Sequence, residues 1–384
     1  MAERALAHIE KIEWIKPIEG ADNIELIGVL GWVCVAKKGE FNVGDMAVYI
    51  EIDSKCPETD ERFAFLANKK FKVKTMKLGK FKVISQGLAL PLSLFPELQD
   101  KKIGDDVTEA LKITYASEED AVRKTNKIDP NAKYKSMAQR KPKIFAHPLV
   151  RKIMRYSIGR KFMFLLFGRK IDTPQKFPEW IVKTNETRIE NAPFYLQSTE
   201  KWIKTEKLDG TSCTFAVDRL KKNNFDFIVC SRNMRQADRD QACYYDSNIY
   251  WELADKYNIK DILTKYAIEN NYNRVVLQGE GVGFVQGNPY KFKENKLFVF
   301  NLIVDGTRLG TVEMADFCKT HELVSVPIID TAYELPKTME EMKLEADGYS
   351  ELNPKVKREG FVYRDVLGKK SFKNVSREYL LKKG

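Results

Sequence analysis

The first hundred residues alternate apolar and polar side chains in short runs. "IELIGVLGWVCVAKKG" (Ile24 to Gly39) is interrupted at Gly28, Gly31 and Gly39. "FNVGDMAVYIEID" (Phe41 to Asp53) reads as a Gly44-Asp45 turn feeding a strand. "KKFKVKTMKLGKFKVISQGLALPL" (Lys69 to Leu92) gives two more short strands around Gly79. Short strands with glycine turns at this spacing predict a small β-barrel of the OB type, a fold that often holds oligonucleotides. Alternation would put several of Lys70, Lys72, Lys74, Lys77, Lys80 and Lys82 on one strand face.

From about Asp105 to Lys170 the pattern loosens. "YASEEDAVRKTNKIDPNAKYKSMAQRKPK" reads as a linker, and "HPLVRKIMRYSIGRKFMFLLFGRK" as a basic amphipathic helix interrupted near Gly159. Beyond Ile171 strands and helices mix. "GTSCTFAV", "FDFIVCSR", "NRVVLQGEGVGF", "KLFVFNLIV", "GFVYRD" and "KKSFKNV" are predicted strands. The span 236–271 is predicted mostly helical, most clearly in "NIYWELADKYNIKDILTKYAIENN", and "TVEMADFCKTHEL" is a shorter helix. The irregular order argues for an α+β fold. The expected division is an OB-type domain over 1–104, a basic linker or helical insertion over 105–170, and a third domain over 171–384.

Composition narrows the classes. A hydrophobic fraction of 43% in 384 residues supplies real cores. The six cysteines contain no C-x-x-C pair, which argues against a structural zinc site. "FMFLLF" is far too short to span a bilayer, and the charged start lacks a signal-peptide core. A soluble intracellular protein is the expectation. The net charge is +11, but residues 123–170 carry fifteen Lys/Arg and one acid, Asp129, leaving −3 for the rest. Such a block attracts polyanions, nucleic acid first. A solvated linker or a membrane-surface patch helped by "FMFLLF" are the competing readings.

"KTEKLDGTSCTFAV" (Lys204 to Val217) raises a chemical question. Asp-Gly is a common turn, and it recurs at Asp305-Gly306 and Asp347-Gly348 without a lysine two residues earlier. Lys207 can attack an electrophile only when neutral, which requires an environment that opposes its usual pKa near ~10.4. A metal held by carboxylates could supply it. Other strands offer suitable groups: Glu280 between two glycines, Glu359 before Gly360, Lys370 and Lys373, Arg232, and Phe298 and Phe300, which alternation places on one strand face. Taken singly, each has an ordinary structural explanation.

Their order does not. Lys-x-Asp-Gly, Ser-Arg, Gly-Glu-Gly, Phe-x-Phe-Asn, Glu-Gly-Phe-Val and Ser-Phe-Lys occur in sequence from about Trp180 to the end. This series resembles the covalent nucleotidyltransferases, which include ATP-dependent DNA and RNA ligases and capping guanylyltransferases. The resemblance implies that Lys207 forms a lysyl-AMP, that Asp209 and Glu280 lie near the ribose and metal waters, and that Phe300 stacks on adenine. It implies a metal role for Glu359 with Asp209 and Glu280, phosphate contacts for Lys373, and nucleotide or nucleic-acid-end contacts for Arg232. Ser212 occupies a ribose-contacting position, and Glu206 precedes the lysine as in several RNA ligases. The usual last motif is Lys-x-Lys; here Ser371 stands two before Lys373, so Lys370 fits less well.

Only eleven residues follow Lys373, too few for the OB domain that DNA ligases and capping enzymes carry there. The N-terminal "KKGEFNVGDMAVYIEIDSKCP" and "KVISQGLALPL", with "VKTNETRIENAP" before the nucleophile, look like the fifth RNA ligase family. Within the last stretch, Arg188 becomes a candidate phosphate contact. The implied partners are ATP, Mg²⁺ or Mn²⁺, and an RNA or RNA/DNA duplex with a nick, acted on by a monomer without membrane association. The alternatives are a non-catalytic nucleic-acid-binding protein on a transferase scaffold, or a DNA ligase or capping-type enzyme.

Overall fold

The structure is a computed structural model that describes residues 5–116, 142–167, 175–236 and 248–383. Most of the expected linker, and the start of the expected 236–271 helical span, lie outside the described residues.

The chain divides into two units. One contains Met1–Arg123, Asn185–Leu208 and Pro327–Gly384; the other contains Lys124–Thr184 and Asp209–Val326. The chain therefore leaves the first unit directly after Leu208, one residue beyond Lys207.

The N-terminal part of the first unit is a curled five-stranded sheet. From one edge, its strands are Trp32–Lys37, Ile24–Val29, Ala7–Pro17, Met46–Ile50 and Leu88–Pro91. The long first strand, hidden in sequence by Glu10, Lys11 and Glu13, pairs with both Ile24–Val29 and Met46–Ile50. Two apolar clusters form around it, one including Ile9, Val48 and Phe63, the other Ile12, Trp32 and Tyr49. Gly28 does not break its strand. It lies against the Trp14 indole, where an added Cβ would come within 2.1 Å. The lysine-rich stretch forms strands only at Met76–Leu78 and Val83–Ser85. Lys70 caps a short helix with φ 54°, and of the six lysines only Lys77 lies in one of these strands, so several do not share a strand face.

The rest of the first unit is a second five-stranded sheet, ordered Thr187–Arg188, Ser371–Val375, Gly360–Asp365, Trp202–Lys207 and Ile328–Tyr333. Trp202, Phe361, Tyr363 and Phe372 form its core, with Met342 from the helix Met339–Ala346. Four stacked or edge-on ring pairs join Trp202, Tyr363 and Phe372 to one another and to Tyr195. Polar contacts tie the two parts of this unit together: Trp32 Nε1 donates to Asn191, and Arg188 pairs with Asp53 at 3.0 Å.

The second unit is built on a seven-stranded sheet whose centre is Asn224–Cys230, Thr211–Lys221, Arg274–Val282 and Lys296–Val304. Both faces are covered. Cys213, Phe215 and Val217 meet Leu253, Leu263, Met314 and Phe317 from helices Ile249–Lys256, Ile259–Glu269 and Thr311–Thr320. Ala216, Val276 and Ile303 meet Phe177, Trp180 and Ile181. The stretch read as one continuous helix is two, because Asn258 adopts φ 48° and ends the first. The basic segment likewise forms two helices, Pro148–Met154 and Ser157–Phe167, broken at Arg155-Tyr156. The architecture is thus α+β throughout.

Candidate active site

Lys207 is not a turn residue preceding a strand. It is the last residue of its own strand, Trp202–Lys207, whose partner on one side is Gly360–Asp365. The register sets Lys207 opposite Gly360, and Gly360 opposite Val375. Gly360 has φ 148°, and a Cβ there would sit 2.1 Å from the Asn374 carbonyl. Only glycine allows this pairing, and the pairing brings Glu359 next to the lysine. Lys207 Nζ lies 2.7 Å from Glu359 Oε1, with both side chains partly exposed.

Directly paired strand residues share a face. Thr205 pairs with Val362, and Val362 with Lys373, so Lys373 stands on the Lys207 face one pair further along. The structure brings Lys207, Glu359 and Lys373 together. It does not bring Lys370 with them: Lys370 sits at the exposed end of the hairpin, bonded to Glu200 at 2.7 Å.

Glu206 also departs from the sequence expectation. Strand alternation turns its side chain away from Lys207. It is 1% exposed, and its Oε2 accepts from the Glu351 N–H at 2.8 Å. Burial pushes its carboxyl pKa up, opposed by Ser350 and that N–H. This is a core carboxylate that anchors the 350–351 turn, and its side chain does not line the nucleophile's face. Arg188 is paired in register with Lys373, but its guanidinium is buried against Asp53 and lies 5.8 Å from the Trp32 ring. Its side chain is a bridge to the N-terminal sheet.

Lys204, which the sequence reading passed over, is buried on the Glu206 side of the strand. It contacts Glu345 and lies 4.2 Å from the Phe361 ring and 4.5 Å from that of Tyr333. Burial, then Arg358, lowers its pKa to about 8. No local signal marks it, because its partners lie some 130 to 160 residues away in sequence.

In the second unit, Asp209 is buried and its N–H donates to the Tyr290 hydroxyl at 2.7 Å. Gly210 follows, where a Cβ would come 2.4 Å from the Gly281 carbonyl and 3.0 Å from Glu280 Cγ. Asp209 is thereby held beside the Glu280 strand. Ser212 pairs with Glu280, and Glu280 with Phe298, so all three occupy one sheet face. The glycines flanking Glu280 serve packing: a Cβ at Gly279 would meet the Phe298 carbonyl at 2.7 Å, and one at Gly281 the Cys213 sulfur at 2.9 Å. Phe300 does not share a face with Phe298 by simple alternation. It is the extra residue of a β-bulge, since Gly279 pairs with Val299 and Gln278 with Asn301. It is half-buried and joins neither apolar core of its unit. Arg232 is exposed in the turn after Asn224–Cys230.

Comparison with known proteins decides the family. A family described as an OB-fold domain matches residues 6–92, and one described as RNA ligase matches residues 200–382. No curated protein matches by sequence. Among solved structures, a glutamate-to-alanine variant of the Naegleria gruberi RNA ligase with ATP and Mn is 31% identical, covering 99% of each chain with a TM-score of 0.75. The same ligase with PPi matches equally, at 31% identity and TM-score 0.75 over 99% of each chain. A lysine-to-methionine variant with AMP and Mn matches at 30% and 0.74, again over 99% of each chain.

The chain belongs to the ATP-dependent RNA ligases. The Naegleria ligase variants were solved with ATP and Mn or with AMP and Mn. Among the described residues no three His, Cys, Asp or Glu side chains converge into a preformed metal cluster. An ion such as Mg²⁺ keeps several waters and is held by one or two carboxylates plus substrate phosphates. Glu359, partly exposed beside the ligase's candidate nucleophile, fits such a role. Among the described residues no helix is long and apolar enough to cross a membrane.

Proposed function

We propose that the ligase seals nicks in duplexes, joining a 3′-OH RNA end to a 5′-phosphate, with Lys207 as nucleophile. The observation that carries this reading is the placement of Lys207, Glu359 and Lys373 on neighbouring strands. Spacing supports it. Variants of the Naegleria ligase replace a lysine and an aspartate two positions apart, and a glutamate and a lysine fourteen apart. Lys207 and Asp209, and Glu359 and Lys373, have the same separations here.

In this reading Lys207 Nζ attacks the α-phosphorus of ATP, the N–P bond forms, and pyrophosphate leaves. AMP passes from Lys207 to the 5′-phosphate end. The 3′-OH then attacks that phosphate and AMP departs. Each step is an in-line displacement, where positioning and charge neutralisation supply most of the acceleration. A bound divalent ion supplies Lewis-acid neutralisation of phosphate charge. Lys207 must give up its proton before it attacks, and Glu359 is the adjacent group that holds the ammonium in place. Lys373 contacts the phosphates. Asp209, Glu280 and Ser212 serve the ribose and the metal waters, Phe300 the adenine, and Arg232 the nucleotide or the nucleic-acid end. Glu206 and Arg188 contribute through the scaffold. The domain division we propose keeps 1–104 as the OB-type domain and 171–384 as the nucleotidyltransferase, with 105–170 between them, in a chain that acts as a monomer.

The experiment is sealing of two labelled nicks that differ only in RNA or DNA at the 3′-OH side. Faster sealing of the RNA nick supports the reading. Equal rates, or activity confined to unpaired ends, overturn the substrate assignment.

A further inference from the structure

We propose that the helical pair within residues 148–167 is a docking surface for an anionic lipid bilayer. The segment is not needed for any step above, and its chemistry differs from that of the rest of the chain. Residues 142–167 contain six Lys/Arg and no Asp or Glu. Arg151, Lys152, Arg155 and Lys161 are exposed.

The helices are apolar on two sides. One side makes a small core in which Phe145 and Met163 are buried among Val150, Met154, Phe164 and Phe167. The corner is tight at Gly159, where a Cβ would lie 2.1 Å from the Ile153 carbonyl. The other side faces solvent. On Ser157–Phe167, Ile158, Phe162, Leu165 and Leu166 recur at helical spacing, with Ile158 83% and Leu165 81% exposed. On the preceding helix and the residues just after it, Leu149, Ile153 and Tyr156 repeat the spacing, with Leu149 66% exposed. Lys161 lies between Ile158 and Leu165 on the same stripe.

This combination favours a bilayer over nucleic acid. A phosphate track needs the cations but gives nothing to exposed isoleucine and leucine. Single-stranded readers present aromatic faces for stacking, whereas this stripe is mainly aliphatic. A helix lying in the interface buries such side chains at the headgroup–acyl boundary while its cations meet anionic lipid. Lys and Arg stems can extend along the apolar stripe with their charges at the headgroups. The inference revises the sequence-based expectation that lipid is not a partner.

The test is co-sedimentation of the full-length protein with vesicles of phosphatidylcholine alone, or mixed with phosphatidylglycerol. The wild-type protein is expected to pellet with the anionic vesicles and not the neutral ones, and to be released by high salt. Ile158→Asp/Leu165→Asp changes only strongly exposed side chains. It is expected to lower vesicle binding by about tenfold or more while nick sealing stays intact. Equal sedimentation with both vesicle types, or unchanged binding by the double variant, overturns the proposal. So does a variant whose binding to nicked RNA duplex falls while wild-type protein ignores vesicles, since that assigns the surface to nucleic acid. Conversion of an oligomer to a monomer by the same variant, without vesicle binding, would assign it to self-association.

Discussion

Lys207 Nζ and Glu359 Oε1 are 2.7 Å apart, joined through the register that sets Lys207 opposite Gly360. Removing the carboxylate should leave the fold intact, because both side chains are partly exposed. Glu359→Ala is expected to lower the rate of enzyme adenylylation by roughly 10²-fold or more, the scale for losing a group that organises charge at a reacting phosphate. Single-turnover labelling with ATP measures this directly. Chelation of divalent ions in the wild-type protein should abolish the same signal.

Gly360→Ala separates geometry from chemistry. Its φ of 148° and the 2.1 Å approach to the Asn374 carbonyl leave no room for a methyl group. The substitution is expected to cost about 2 to 4 kcal/mol of stability and to reduce adenylylation as Glu359 moves. Denaturant unfolding and labelling should therefore change together, unlike in Glu359→Ala.

Two lysines near the C-terminus should behave differently. Lys373 stands on the nucleophile's face and Lys370 is bonded to Glu200 at the surface. Lys373→Ala is expected to cost at least about 10²-fold in adenylylation. Lys370→Ala should stay within about threefold, as loss of an exposed ion pair has little energetic consequence. A large effect at Lys370 would return it to the site.

His8 makes stability depend on pH. Burial lowers its pKa, but hydrogen bonds and charge from Glu10 and Glu51 outweigh burial and raise it to about 9. A raised folded-state pKa stabilises most below the unfolded value near ~6.5. That contribution is lost as pH rises through about 9. The melting temperature should fall from pH 6.5 to 9, and His8→Gln should flatten that part of the profile. A profile unchanged by the substitution would contradict the assignment.

The fold and site were legible where local pattern carried them. The strands holding Glu280, Phe300 and Lys373 are runs of β-branched and aromatic residues, and their motif order could be read directly. The strand holding Lys207 was not. Its "KTEK" looks like exposed surface, yet Lys204 and Glu206 are buried, with Glu345 and the Glu351 N–H as distant partners. Long-range pairing of this kind leaves no local trace. The same holds for Arg188, whose partner Asp53 lies in the turn after the N-terminal strand Met46–Ile50, and for the bulge at Phe300, set by register with the neighbouring strand.

The role of Lys207 is tested most directly by incubating the purified protein with α-labelled ATP and Mn²⁺, then denaturing it. The wild-type protein is expected to carry an acid-stable, hydroxylamine-sensitive adduct, and Lys207→Ala none. An adduct that persists in Lys207→Ala at wild-type level would contradict the assignment of the nucleophile.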